Sequence, residues 1–191
     1  PPGTGDPARS VKMTDKQGRE FSFLLYSLSR NKKSLSLNIR SDKGKKLFKD
    51  LVKQSDIVLE NMRPDVMNRL GLGYAELEKL NPRIVYVSIS GFGHQGAFTS
   101  PYWDWPAFDL IAQALSGFMY SAGRQGDPPF LNSAVAADTV PGFLAAFGAM
   151  AAILMRNQTG RGQHVDIAMY DSMVLFNNFA VGNALLTGER L

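Results

Sequence analysis

The sequence predicts an α/β fold: a Rossmann-like parallel sheet layer with flanking helices. Three observations point there. Short apolar runs with turn residues at their ends alternate with segments of helical periodicity, the pattern of parallel βαβ units. The segment at 56–60 is short and apolar enough for a strand buried on both faces. At 191 residues and 45% hydrophobic content, the chain is long enough to bury a sizeable core.

Taken in order, residues 20–29 read as a short helix and 34–39 as a strand. Residues 42–54 form an amphipathic helix that turns Leu47, Phe48, Leu51 and Val52 inward and its charges to solvent. The strand at 56–60 follows. Pro64 opens a short helix carrying Val66, Met67 and Leu70, a second covers 74–80, and a strand runs from 83 to 90. Beyond Ser90 the composition changes to a long loop, 91–106, rich in Gly, Pro and aromatics, with Trp103 and Trp105 near its end. Structureless stretches of this length are uncommon in compact domains and are usually functional. A helix at 107–118, a loop at 121–129, a long apolar helix, a strand at 163–168 and a helix at 170–186 complete the chain.

Composition narrows the functional classes. The chain has no cysteine, which removes disulfides and thiolate metal sites, and its two histidines, His94 and His164, are too few for a zinc site, so no metal is expected. Residues 1–83 hold 17 Lys and Arg against 10 Asp and Glu, or +7; residues 84–191 carry −3, for an overall +4. A basic half suits nucleic acid or a polyphosphate cofactor. Nucleic acid is the weaker reading, because many of the lysines sit beside acids on the 42–54 helix and no nucleic-acid-binding motif is present. The apolar run 140–155 has 16 residues, fewer than the roughly 20 that cross a bilayer, and contains Pro141, Gly142 and Gly148; it reads as a core helix and not a membrane span. Residues 1–9 lack the apolar stretch of a secretion signal, giving an expectation of cytoplasm or organelle matrix.

Two motifs carry possible chemistry. Residues 91–96, Gly-Phe-Gly-His-Gln-Gly, match the dinucleotide pattern and follow a strand, but Thr99, Ser100 and Pro101 continue a loop where a phosphate-binding helix would have to start. The glycines serve close backbone approach or tight turns instead. Residues 133–142, Ser-Ala-Val-Ala-Ala-Asp-Thr-Val-Pro-Gly, place a single acid, Asp138, at the opening of the apolar helix. Locally it reads as an N-cap, with Pro141 tolerated in the first turn and the helix dipole favouring the ionised, nearly dry carboxylate. Asp166 alternates with Val165 and Ile167 and faces outward, and Asp171 reads as a helix cap, so both belong to the scaffold.

Seven short runs resemble, in order, the class III CoA-transferase family, which includes formyl-CoA and carnitine CoA-transferases and α-methylacyl-CoA racemases. They are residues 31–37 (Asn-Lys-Lys-Ser-Leu-Ser-Leu), 60–64 (Glu-Asn-Met-Arg-Pro), 69–73 (Arg-Leu-Gly-Leu-Gly), 80–83 (Leu-Asn-Pro-Arg), 88–93 (Ser-Ile-Ser-Gly-Phe-Gly), 108–113 (Phe-Asp-Leu-Ile-Ala-Gln) and 159–163 (Thr-Gly-Arg-Gly-Gln). No run is specific alone; together they cover most of the chain. Residues 2–6 (Pro-Gly-Thr-Gly-Asp) resemble a segment that follows the family's first strand, helix and second strand. The resemblance therefore implies that residues 1–191 are part of a larger domain, with a CoA-binding part at 1–106 and a catalytic, helical part at 107–191. A C-terminal portion carrying a glycine-rich loop would be absent.

The resemblance also implies roles. Asp138 matches the nucleophilic aspartate. Leu37, Asn38, Ile39, Arg40, Asn61, Met62, Arg63 and Arg69 match positions that contact the coenzyme, and Pro106, Ala107, Phe108 and Asp109 match the segment lining its thioester end. Lys32 and Lys33 add positive charge. Met62 stands where an aromatic is usual and Asp65 where glycine is usual; a flexible, polarisable methionine still packs on adenine. Racemases carry histidine at position 108 as one of two proton-transfer groups, and Phe108 cannot take that role. The implied activity is CoA transfer between an acyl-CoA and a carboxylic acid, with coenzyme A as substrate, no permanently bound cofactor and an interlaced homodimer. Racemization of a 2-methylacyl-CoA and a non-catalytic CoA-binding module are the alternatives.

Overall fold

The structure is a computed structural model that describes residues 5–96, 99–124 and 126–189. Residues 2–4 of the 2–6 match lie outside the described residues, as do Ala97 and Phe98 of the long loop. The chain divides into two compact units, 1–48 and 49–191.

In the first unit a 3-10 turn, Pro7–Ser10, precedes a two-stranded antiparallel ribbon of β1 (Met13–Thr14) and β2 (Glu20–Phe21). Helix α1 (Phe23–Leu28) begins later than the expected 20, because Glu20 and Phe21 pair with β1 and Ser22 caps the helix, accepting from the Leu25 N–H at 3.3 Å. The strand expected at 34–39 does not form. That stretch has no ladder partner among the described residues, and Leu35 remains exposed. Helix α2 (Asp42–Val52) starts as expected and runs on past the end of the first unit; of the side chains expected inward, Val52 is buried but Leu47 and Leu51 are exposed.

The second unit is built on three parallel strands, β3 (Ile57–Glu60), β4 (Val85–Ser90) and β5 (His164–Ala168), in that order across the sheet. Between β3 and β4 run α3 (Val66–Arg69) and α4 (Tyr74–Leu80). The 107–118 helix is two helices, α5 (Asp109–Leu115) and α6 (Phe118–Ser121), separated by Gly117 at φ +74°. Helix α7 (Ala136–Thr159) has 24 residues, longer than the apolar run that announces it. By length and composition it would reach across a bilayer. Its Ala145, Ala149 and Ala152 nonetheless pack on Val85 and Val87 of the sheet. Small residues bring helix and sheet close: a Cβ on Gly148 would lie 2.7 Å from the Val165 Cγ1.

The expected 170–186 helix divides into α8 (Met169–Phe176) and α9 (Asn178–Thr187). Asn177 leaves helical geometry and ties the junction to the α5–α6 corner: its Nδ2 donates to the Ser116 carbonyl at 3.2 Å, and Ser121 Oγ donates to its Oδ1 at 2.9 Å. Asp171 lies inside the first turn of α8 and is not its cap, because the helix begins two residues earlier. A second core cluster joins Ala112 of α5, Ala136 and Ala137 of α7, and Met169 and Met173 of α8. It fixes the start of α7 against the end of the sheet.

Candidate active site at the carboxyl edge of the sheet

A cavity of about 650 Å³ opens where the three strands end. Its walls come from the turn after β3 (Asn61, Met62, Arg63, Pro64), the end of β4 (Ile89, Ser90, Gly91), the segment before α5 (Trp105, Pro106, Ala107, Phe108), the start of α7 (Asp138, Pro141) and Met169 after β5. Ligands of open parallel sheets bind at this edge, because the chain turns there and frees main-chain groups.

Seven of the residues expected at the site converge on it: Asn61, Met62, Arg63, Pro106, Ala107, Phe108 and Asp138. Asn61 is held by its own Nδ2, which donates to the Ile89 carbonyl at 2.7 Å and so joins the turn after β3 to β4. Ser90, Gly91, Trp105, Pro141 and Met169 are further wall residues. The signals for Gly91 and Trp105 were in the sequence, in the glycine motif and the aromatic loop. Met169 and Pro141 are brought in only by packing.

Asp138 is not the N-cap of α7. The helix starts at Ala136 with Val135 in the cap position, in the left-handed region at φ +45°, and Asp138 lies in the first turn without a side-chain capping bond. The acid that serves the helix start is Asp109. Its Oδ1 accepts from the Ala137 N–H at 2.8 Å, and its Oδ2 accepts from Gln113 Nε2 at 2.7 Å. Gln113, fully buried, also donates to the Asn132 carbonyl and so ties the loop before α7 to α5. Asp109 thus lies behind the wall as its brace. Asp138, freed from capping, is open to the cavity rather than dry, yet the protein around it pushes its carboxyl above the usual range, with the negative charge of Asp109 adding to the effect. Pro141 falls in the second turn, not the first.

Arg69 does not reach the cavity wall; it lies one helical turn from Asp65, with a 3.5 Å ion pair between them. Asp65 occupies the left-handed region at φ +66°, which supplies the physical reason that glycine suits this position. Leu37, Asn38, Ile39 and Arg40 belong to the first unit. There Asn38 makes a turn, its Oδ1 accepting from the Arg40 N–H at 3.1 Å and its carbonyl from Ser41 Oγ at 2.9 Å.

Fold and cavity together define an α/β protein with a ligand cavity at the carboxyl edge of a parallel sheet and one acid exposed in it. The chain belongs to CoA-transferase family III, whose model matches residues 1–191. It is 37% identical over 191 residues to the acetyl-CoA:oxalate CoA-transferase of Acetobacter aceti, covering 99% of this chain and 47% of that protein. It is 40% identical over 172 residues to the succinyl-CoA:mesaconate CoA-transferase of Haloarcula marismortui, covering 89% of this chain and 43% of that one. Among solved structures, a CaiB/BaiF family protein from Brucella suis superposes with a TM-score of 0.84 at 29% identity, over 98% of this chain and 48% of the other. Rv3272 from Mycobacterium tuberculosis does so at 0.85 and 27%, over 96% and 50%. The chain spans about half the length of these relatives.

Proposed function

We propose that this chain carries the nucleophile and part of the coenzyme site of a CoA-transferase that moves CoA from an acyl-CoA donor to a carboxylic acid acceptor. The observation that carries the reading is the position of Asp138: a carboxylate released from capping duty and presented to a cavity with Asn61, Met62 and Arg63 on the opposite element.

An Asp138 carboxylate oxygen attacks the thioester carbonyl, the C–S bond breaks, and CoA leaves as the thiolate, leaving a mixed anhydride. The thiolate then attacks the aspartyl carbonyl, expelling the donor carboxylate and giving an aspartyl-CoA thioester. The acceptor carboxylate attacks that thioester and again releases the thiolate, which takes the new acyl group and regenerates Asp138. Burial, with the charge of Asp109 adding to it, disfavours the charged form of Asp138, and a carboxylate so disfavoured is the more reactive nucleophile.

Arg63 on the wall, with Arg69 as a further cation, is assigned to the coenzyme phosphates, and Met62 to its adenine. Phe108, largely exposed in the cavity, offers no exchangeable proton, which disfavours racemization. The homodimer belongs to the same proposal: Phe143, Phe147, Met150 and Leu154 make an exposed apolar stripe at helical spacing along α7. So does a location in the cytoplasm or an organelle matrix.

The test is mass spectrometry of the intact protein after mixing with a panel of acyl-CoAs. A covalent CoA adduct on Asp138 is the expected result. Binding of CoA with no adduct under any donor would favour the non-catalytic module, and deuterium incorporation at the α-carbon of a 2-methylacyl-CoA would favour the isomerase.

A further inference from the structure

Glu60, Ser88 and Asp166 stand in register across β3, β4 and β5, on the sheet face turned away from α7. Two acids in one row, one of them buried, are unfavourable without a partner. The partner is His94, from the glycine motif at 91–96. Its Nδ1 lies 2.8 Å from Asp166 Oδ1, and its main-chain N–H donates to Asp166 Oδ2 at 2.8 Å. Its Nε2 lies 3.9 Å from Glu60 Oε1. Gly93, at φ +80°, turns the chain so that the His94 main-chain N–H and its Nδ1 both meet the Asp166 carboxylate.

This group is tied to the cavity from both sides. Glu60 Oε2 accepts the Met62 N–H at 2.7 Å, fixing the turn that presents Asn61, Met62 and Arg63. His94 anchors the loop whose first residue, Gly91, is itself cavity wall and accepts from the Tyr170 N–H at 3.0 Å. A smaller cavity of about 210 Å³ lies on this side, and there Arg63, Asp65 and His164 also face His94 and Glu60. His164 Nε2 pairs with Ser88 Oγ, which is 3.5 Å from Asp166 Oδ1.

We propose that Glu60, His94 and Asp166 are positioning residues, a clamp across the three strand ends that holds the 61–64 turn and the 91–96 loop in place as the wall facing Asp138. They touch no reacting atom and act through Met62 and Gly91. The clamp geometry stands by itself; its use in coenzyme binding rests on the transferase reading. The electrostatics agree with the geometry. The hydrogen bond to Asp166 holds the His94 imidazole above its ordinary value despite burial. Burial raises the Asp166 carboxyl, but the His94 ring, main chain and charge outweigh it and bring it below the ordinary range.

The experiment compares His94→Ala and His94→Asn with the parent in the intact protein, reading amide hydrogen exchange without substrate and steady-state CoA transfer with it. In His94→Ala, exchange at 61–64 and 91–96 is expected to rise by about tenfold, with KM for the acyl-CoA up by about fivefold and kcat within about twofold. Asn places an amide donor where Nδ1 was, and is expected to restore most of both. Unchanged exchange at 61–64 in His94→Ala overturns the clamp, as does a loss confined to kcat or to thermal stability. If His94→Ala does not fold, His94→Asn against His94→Gln makes the same comparison, because the longer Gln amide overshoots Asp166; equal exchange and KM in those two would overturn the clamp. A protein that loosens as described yet transfers no CoA refutes the transferase reading and leaves the clamp standing.

Discussion

The carboxylate of Asp109 accepts the main-chain N–H of Ala137 at 2.8 Å, so the acid that serves the start of α7 comes from a different helix than the acid that α7 presents. The two acids divide the work. Asp109 supplies the hydrogen bonding, and Asp138 remains available for chemistry.

Removing Asp109 tests that division. Asp109→Ala leaves the Ala137 N–H and Gln113 Nε2 short of an acceptor and is expected to cost about 1–2 kcal/mol, measured by urea unfolding. It also removes a charge that raises the Asp138 pKa. The acid limb of adduct formation is therefore expected to move to lower pH.

Asp138→Asn has the opposite signature. On the proposed mechanism an amide cannot form the anhydride, so the CoA adduct and transfer are expected to disappear while CoA affinity is retained. Asp138 caps nothing and its folded pKa is raised above the unfolded value, so its contribution to stability is greatest at low pH and is lost as pH rises through the folded pKa. At neutral pH the Asn variant is accordingly expected to be as stable as the parent or slightly more so. A clear loss of stability would restore the capping role.

The turn after β3 carries a backbone cost at Asp65. Asp65→Gly relieves the left-handed φ but removes the exposed Arg69 ion pair, which contributes little, for a net gain of about 0.5 kcal/mol. With a negative charge gone from beside Arg63 and Arg69, CoA binding is expected to tighten, and more at low salt than at high. Calorimetry at two ionic strengths measures both effects.

Far from the cavity, Arg156 locks α7 to the opposite end of the sheet. Its Nη1 donates to the Arg83 carbonyl at 3.2 Å and the Asp56 carbonyl at 3.4 Å, and its Nη2 meets the exposed Asp56 carboxylate at 3.0 Å. Arg156→Met keeps the apolar stem but deprives the Arg83 carbonyl of its donor and leaves the Asp56 carbonyl only the Val85 N–H, an expected loss of about 1–3 kcal/mol in urea unfolding with Asp138 reactivity unchanged.

The clamp has a pH signature. His94 has a folded pKa above its unfolded value, so its stabilisation is complete below the ordinary histidine range and is lost as pH rises through the raised value. His94→Asn is expected to flatten that limb of the stability profile. Thermal unfolding from pH 5 to 9 measures the difference.

Local pattern was enough for part of this molecule. The strands at β3, β4 and β5 and the helices α2 and α4 follow from apolar periodicity and turn residues within a few positions, and the family follows from short runs spread along the chain. Asp138, Asn61, Met62 and Arg63 were legible as candidates on the same grounds. Tertiary structure decided the rest. Pairing of 20–21 with 13–14 delayed α1, the absence of a described neighbouring strand left 34–39 without a ladder, and Asn177, bound to the α5–α6 corner, divided the last helix. Above all, the role of each acid depends on which partner packing brings to it. Asp109 meets Ala137 across 28 positions and Asp166 meets His94 across 72, separations at which no local periodicity carries a signal.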